Sequence, residues 1–448
     1  TYATGALYVN NNSAGGLIGQ NFGGVTNSYW NTVTGYASSA AGTGFDTAGI
    51  MEQANFSSWD FSNTWFMYEG MTAPLLRSFM TPLTVSAIND TKTYDGSVYN
   101  YANGVTYSAT PDFGDLLGTL TYTSGSGAIN AGSHALTIGG QYSNQQGYII
   151  SYGPSATLTI DKAHLTVRAN TTNKTYGDVN PILGITLTGF VGGETWGTSG
   201  VSGTGSVSTT ATETTGAGTA VITAGVGTLS ANNYDFPNSV NGTLTINKAS
   251  ISAITGITAS DKIYDATTVA TLNTASVGFT GLIGNDSLSV STANGSFTDK
   301  NVGADKTVDI SGLTLGGTDA ANYTLLNDSA DTTASISQAG ISAITGITAS
   351  DKVYDAKTAA ILNTASAVFT GLIDNDALIV ASGNGVFDDI NAGTDKAVDI
   401  SGLTLGGTDA ANYTLLSDSA DTTASISQAG ISAITGITAS DKVYDATT

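Results

Sequence analysis

Cysteine is absent from the 448 residues, which excludes disulfide scaffolds, thiolate zinc sites, iron–sulfur clusters and cysteine nucleophiles. Histidine is limited to His134 and His164, too far apart for a helical H-E-x-x-H zinc motif. Positive charge is scarce. Thirteen Lys and Arg face 35 acids, a net charge of −22, which argues against binding nucleic acid or anionic lipid through a basic surface. No apolar run approaches the ~18–20 residues that cross a membrane, and the N-terminus lacks a basic n-region and an apolar h-region. Thr1 and Thr448 read as cut points, which leaves room for a signal or anchor beyond them.

Glutamate is also rare. Glu52, Glu69, Glu194 and Glu213 are the four, which leaves 31 Asp. Asp favours turns and is a poorer helix former than Glu. Thr, Ser, Val, Ile and Tyr, the residues of strands, fill much of the remainder. Glycine is plentiful at 56 residues, and 40% of the chain is hydrophobic, enough to bury cores. No segment sustains an apolar 3.6-residue period beyond about two turns, so the chain reads as all-β. Its length suits about three or four domains of ~100–150 residues.

Internal repeats organise most of it. The run from Ile251 to Asp261 recurs from Ile341 and again from Ile431. About four in five positions agree between the first two copies, and a period near 90 suits a complete domain rather than a solenoid rung. A looser pair precedes them: Leu83-Thr84-Val85 with Lys92-Thr93-Tyr94, then Leu165-Thr166-Val167 with Lys174-Thr175-Tyr176. Junctions pass from one alternating strand into the next without a Pro/Gly-rich linker, so neighbouring modules are expected to couple semi-rigidly. Gly312, between Val308–Ser311 and Leu313–Leu315, marks a kink or bulge. The first ~80 residues differ. Gly15–Asn21 and Val25–Trp30 read as one or two glycine-rich solenoid rungs, and the aromatic stretch after them as a cap over open strand edges.

These residues carry a family resemblance. Gly16-Leu17-Ile18-Gly19 followed by Asn27-Ser28-Tyr29-Trp30 resembles the GLUG repeats of filamentous-haemagglutinin-like adhesins. Trp59-Asp60-Phe61 through Trp65, then Pro74-Leu75-Leu76-Arg77, is similar to the segment that closes such repeats. Lys92-Thr93-Tyr94-Asp95-Gly96 and Lys174-Thr175-Tyr176-Gly177-Asp178 resemble MBG domains of bacterial surface proteins. Lys262-Ile263-Tyr264-Asp265, Lys352-Val353-Tyr354-Asp355, Lys442-Val443-Tyr444-Asp445 and Ala321-Asn322-Tyr323-Thr324 resemble YDG domains, with Ala266 standing where many of them have glycine. The resemblance implies a secreted or outer-surface bacterial adhesin, often exported by two-partner secretion.

Each chemical motif has a plainer structural reading. Tyr and Asp of Lys-x-Tyr-Asp suit a glycan, but a motif placed alike in every copy more often fixes a turn and packs its ring. Asn322-Tyr323 and Asn412-Tyr413 read the same way, as a tyrosine-corner analogue. Asp299, Asp305, Asp309, Asp319, Asp328 and Asp331 crowd one copy as calcium would require, yet no D-x-D-x-D-G loop is present and solvated turn residues are the stronger reading. The junction Ser337-Gln338-Ala339-Gly340 lacks paired carboxylates to clamp two domains. Asp46, Glu52, Asp60 and Glu69 lie in the cap-like segment rather than on successive rungs, which argues against a glycan-cleaving carboxylate pair. His164 sits in the polar phase of its strand, so Ser–His–Asp catalysis finds no support.

The expected architecture is the end of a right-handed β-solenoid at 1–36 and its cap at 37–81. MBG-like immunoglobulin-type sandwiches follow at 82–162 and 163–248, YDG-like repeats at 249–338 and 339–428, and the start of a third at 429–448. The expected function is a stiff extracellular stalk on the bacterial outer surface, displaying a solenoid for attachment or biofilm formation. Expected partners are surface glycans or proteins and copies of the chain itself, with no nucleic acid, no membrane-spanning segment, no enzymatic role and no cofactor; calcium is the one ion kept open. The alternative is a self-assembling filament or matrix protein built by strand pairing between chains. Residues 249–338 carry nine acids and three bases, and 339–428 eleven and three. This acidity is expected to keep near-identical neighbours from mispairing.

Overall fold

The computed structural model describes residues 1–5, 15–21, 23–35, 37–100, 103–125, 127–373 and 375–444. Parts of the expected solenoid rungs, and Asp445 of the third repeat, lie outside them. The described residues are strands, turns and short 3-10 helices, as the strand-rich composition and the lack of a sustained 3.6-residue period predict. No helix among them is long and apolar enough to cross a membrane.

Two compact units divide the chain. The first comprises Thr1–Thr172, Pro181–Thr210 and Ala220–Leu244; the second comprises Asn173–Asn180, Ala211–Thr219 and Thr245–Thr448. The first unit opens with three short strands, Tyr2–Ala3, Tyr29–Asn31 and Thr43–Phe45, paired in parallel. Parallel stacking of consecutive strands is what a solenoid does, but three strands of two or three residues do not make one. The last of them comes from the expected cap. Gly16 packs flat on Trp30: a Cβ there would lie 2.0 Å from the indole ring.

The cap is an aromatic cluster. Tyr29, Ile50, Phe56 and Met67 are buried together, with Phe45, Trp59 and Phe61 against them. Arg77 ties its chain down, donating from Nε to Trp65 O at 2.7 Å and from Nη2 to Phe61 O at 3.0 Å, with its guanidinium over the Phe66 ring.

Next, Thr81–Ala87 lies between Tyr148–Tyr152 and Val105–Tyr107, and a second sheet runs Asp90–Thr93, Ala156–Asp161, Gly132–Tyr142, Leu117–Ser124. Leu83, Val85 and Ile150 of the first sheet pack on Ile138 of the second. Alternation in Leu83-Thr84-Val85 thus does what a period of two requires: one face meets the opposing sheet. Ala163–Ala169 repeats the pattern between Tyr234–Val240 and Ile185–Thr188.

In the second unit the two 90-residue copies are superposable in topology. Each has a five-stranded sheet and three two-stranded ribbons. Gly312 and Gly402 take φ near +66° and +65°, where strand register slips. The bulge read from the sequence is there. The core is not closed within one copy. Val308, Ile336 and Tyr264 share one buried cluster with Ala339, Ile344, Phe369 and Tyr413 of the next.

Strand pairing fixes which end of each module carries each tyrosine motif. The first strand of each module pairs in parallel with the strand that begins at or near its Asn-Tyr motif: Ala163 with Tyr234, Ala249 with Tyr323, Ala339 with Tyr413. Both therefore start at the pole where the chain comes in. The strand leading into Lys-x-Tyr-Asp pairs in parallel with the last strand, so that motif ends at the pole where the chain leaves. Tyr94, Tyr176, Tyr264 and Tyr354 each donate their backbone N–H to a last-strand carbonyl, of Asp161, Asn247, Ser337 and Ser427.

Candidate functional site

At the leaving pole, Lys-x-Tyr-Asp first builds its own turn. Lys262 Nζ lies 2.7 Å from Asp265 Oδ1 and donates to Thr267 O and Val269 O, while Asp265 Oδ1 accepts from Thr267 N and Oγ1. Lys352 and Asp355 repeat the pair at 2.7 Å, and Lys92 and Asp95 at 2.8 Å. The ammonium lowers the Asp95 and Asp355 carboxyls from the usual range, with the Ser97 hydroxyl and backbone N–H adding to it at Asp95 and the Lys357 backbone N–H at Asp355. In Lys174-Thr-Tyr-Gly-Asp the buried ammonium is instead satisfied by the carbonyls of Thr212 and Asp178. The turn puts Ala266 and Ala356 at φ +59° and +55°, the left-handed region that explains why glycine is common there.

The tyrosine does more than pack. Tyr94, Tyr176 and Tyr264 are 4%, 5% and 2% exposed, and each hydroxyl donates to a carboxylate of the following module. Tyr94 reaches Glu194 Oε1 at 2.6 Å, Tyr176 reaches Asp286 Oδ2 at 2.8 Å and Tyr264 reaches Asp376 Oδ2 at 2.9 Å. From the other side the Asn-Tyr tyrosine of that following module donates to the same group: Tyr234 to Glu194 at 2.6 Å, Tyr323 to Asp286 at 2.6 Å and Tyr413 to Asp376 at 2.7 Å. The two rings of each pair meet edge to face, with centroids 5.4, 5.7 and 5.6 Å apart. Three junctions thus share one clamp, a carboxylate between two buried phenols.

The preceding asparagine completes it. Asn233, Asn322 and Asn412 each accept, through Oδ1, a backbone N–H from the module before: Ala131, Ala217 and Val302 at 2.9, 2.9 and 3.0 Å. The Asn-Tyr hydroxyls also accept a backbone N–H, from Val191, Ile283 and Ile373. These partners lie some 40 residues upstream in sequence, so the motif is not the short-range tyrosine corner expected of it. The residue two before each of these donors is a glycine with φ of +108°, +104° and +103°: Gly189, Gly281 and Gly371. A Cβ at Gly281 would lie 2.3 Å from Ser250 O. Glycine is required for the loop to turn back and present its acid.

Burial pushes the Tyr94, Tyr323 and Tyr413 hydroxyls up to about 12, with the carboxylate partner adding to it. Burial and the same partners raise Tyr176, Tyr234 and Tyr264. Burial opposes ionisation of Asp376, whose side chain is 2% exposed. Hydrogen bonds from Tyr413 and Tyr264 and the ammonium of Lys300 outweigh that and hold its carboxyl below the ordinary value. Lys300 sits 3.2 Å from Asp376 Oδ1 and 5.8 Å from the Tyr264 ring centroid.

The remaining candidates fall into separate places. Asp299 pairs with Lys306 at 2.6 Å. Asp319 accepts from Ser287 N at 2.8 Å. Asp309 stands opposite Asp331 in strand register. Among the described residues no three His, Asp or Glu converge into a group that could hold a metal ion. His164 pairs with Asp235, and His134 contacts Asn130 O at 2.9 Å. Asp60 caps the turn at Ser62 and Asn63, and Glu69 accepts from Gln53 N. None of Glu194, Asp286 and Asp376 is among the candidate site residues that the sequence offers. Their signal is Leu187-Thr-Gly-Phe-Val-Gly-Gly-Glu194, repeated as Phe279-Thr-Gly-Leu-Ile-Gly-Asn-Asp286 and Phe369-Thr-Gly-Leu-Ile-Asp-Asn-Asp376.

Comparison with protein families matches the YDG domain to residues 247–334 and 340–424 and the MBG domain (YGX type) to residues 165–245. Residues 82–162 lie outside these matches. A comparison with curated proteins finds no match. Among solved structures, the chain is similar to Sidekick-1 immunoglobulin domains 1-5 at 9% identity and TM-score 0.24, covering 76% of this chain and 79% of that one. It is also similar to the N-terminal eight Ig domains of Down Syndrome Cell Adhesion Molecule isoform 1.30.30, at 11% identity and TM-score 0.17, covering 78% and 55%. Likeness at these TM-scores is too slight to fix the fold, which stands on the strand pairing above. The chain carries an MBG domain and two YDG domains in tandem, and its tyrosine motifs serve the joints between modules.

Proposed function

We propose that this chain is the stalk of an extracellular or cell-surface bacterial adhesin, in which joints between modules are held rigid so that an adhesive part is carried away from the cell. The observation that carries the reading is the clamp, the same at three joints. A flexible tether needs no buried carboxylate between two phenols; a mechanical spacer does, because semi-rigid coupling converts module count into reach. The MBG and YDG matches fit an extracellular role of this kind. The solenoid as displayed element, export by two-partner secretion, binding to surface glycans or proteins, a part in biofilms and the absence of any enzymatic activity belong to the same proposal.

Small-angle scattering tests it. The full chain is expected to keep one maximum dimension across salt concentrations, and the double variant Tyr264→Phe, Asp376→Asn to broaden it. A wild-type chain already as broad as the variant would remove the mechanical reading. For location, antibody raised against the chain should label intact producing cells without permeabilisation.

A further inference from the structure

The second YDG copy repeats the leaving-pole sequence almost unchanged, yet its tyrosine is in a different state. Tyr264 is 2% exposed and Tyr354 is 39% exposed, although Tyr354 makes the same backbone bond to the last strand and sits beside the same Lys–Asp turn. Asn391, the counterpart of Asn301, is exposed, whereas Asn301 Oδ1 accepts from Asn412 Nδ2 at 3.2 Å. This half of the clamp is assembled, and among the described residues no carboxylate loop covers it. Three filled joints show what fits it: an acid loop presented by a positive-φ glycine, with an Asn-Tyr pair beside it.

We propose that the face formed by Tyr354 and Asn391 is a docking socket for a further YDG-type repeat, delivered in cis by continuation of the copy that begins at Ile431. The chain supports this occupant directly. Ile431 to Thr448 matches Ile341 onward at most positions, and it follows the strand Ala420–Ser427 whose end binds Tyr354 N. The recognised chemistry is a carboxylate with a phenol donor. One element differs from the filled joint: Lys300 is replaced by Ile390, which is 37% exposed. The incoming acid is thus held by phenols without an ammonium, as Asp286 is between Tyr176 and Tyr323. The inference shares the clamp geometry with the proposed stalk, but nitration of Tyr354 reads this socket alone, whereas scattering reads the stiffness of the joints already filled.

Tyrosine nitration mapped by peptide mass spectrometry reads the socket. In the chain as it stands, Tyr354 and Tyr444 should be nitrated and Tyr264 spared. In a chain extended through a complete third copy, protection should move outward. Tyr354 should fall to the level of Tyr264, and Tyr444, now at the new leaving pole, should stay reactive. Replacing the third copy's counterpart of Asp376 by Asn and of Tyr413 by Phe should restore nitration of Tyr354. Should the extension fail to fold, the original chain still decides. Asp376→Asn with Tyr413→Phe should raise nitration of Tyr264, and an unreactive Tyr264 would show that the acid loop is not what covers it. A folded extension with Tyr354 still reactive overturns the proposal. So does protection of Tyr354 in the unextended chain that grows with protein concentration, because the occupant would then be a second molecule.

Discussion

Two tyrosines with the same local sequence provide a controlled experiment. In Lys-Ile-Tyr264-Asp-Ala and Lys-Val-Tyr354-Asp-Ala the ring should matter equally if the motif only builds its own turn. The structure separates them, because Tyr264 donates to Asp376 at 2.9 Å while Tyr354 is 39% exposed. Tyr264→Phe keeps the ring and deletes one hydrogen bond to a charged acceptor, a loss of about 1.5–3 kcal/mol. Asp376→Ala removes the acceptor from two buried phenols at once, and breaking a buried charged group away from its partners costs about 3–5 kcal/mol. Tyr354→Phe changes a residue that is 39% exposed and should lie within about 0.5 kcal/mol of the parent. The assay is guanidinium denaturation of the full chain followed by hydrogen exchange in 249–428, since a multi-module chain need not unfold in one step. Expected is loss of protection around Ala339–Ile344 for Tyr264→Phe and none for Tyr354→Phe. Equal effects of the two Phe substitutions would refute the clamp and return the motif to a purely local role.

Three further outcomes follow from the same geometry. Asp376 has a folded pKa below its unfolded value, so its contribution is complete above the unfolded value near 3.9 and is lost as pH falls through the lower folded one. Tyr413 and Tyr323 are raised to about 12, so theirs is complete below about 10 and lost as pH rises through 12; melting temperature against pH, with phenolate absorbance, should show both edges. Gly281→Ala should cost about 2 kcal/mol or more, because a Cβ at φ +104° also meets Ser250 O at 2.3 Å, whereas Ala266→Gly should be nearly neutral as relief at φ +59° offsets about 0.5–1 kcal/mol of added chain entropy. Asp331→Lys should raise the melting temperature, and less so in high salt, since Asp331 stands opposite Asp309 across the strand pair and like charges there oppose pairing.

The parts of this molecule legible in the sequence are those whose causes are local. Alternation in Leu83-Thr-Val85 announces a strand with one buried face, Gly312 announces the bulge, and Lys262 three before Asp265 announces a turn. Each involves residues within a few positions of one another. The clamp is different in kind. Tyr94 and Glu194 are 100 residues apart, Tyr176 and Asp286 110, Tyr264 and Asp376 112, and each partner belongs to the next module. Searching the junction Ser337–Gly340 for paired carboxylates finds none because the acid is single and comes from a loop well inside the following repeat.

A signal for that acid does exist, and it is positional. Glu194, Asp286 and Asp376 precede their Asn-Tyr tyrosines by 40, 37 and 37 residues and always follow Thr-Gly and four intervening residues. An acid retained at one place in modules as different as the MBG and YDG types, in a chain where most Asp sits in solvated turns, has to be explained by something other than solubility. Parallel pairing of first and last strands supplies the reason: it fixes which motif faces backward and which faces forward. Once poles are assigned, a forward-facing phenol in one module and a backward-facing carboxylate in the next become partners by topology. The same reasoning distinguishes Tyr354 from Tyr264 when no local feature can, because whether a leaving pole is filled depends on the module that follows it.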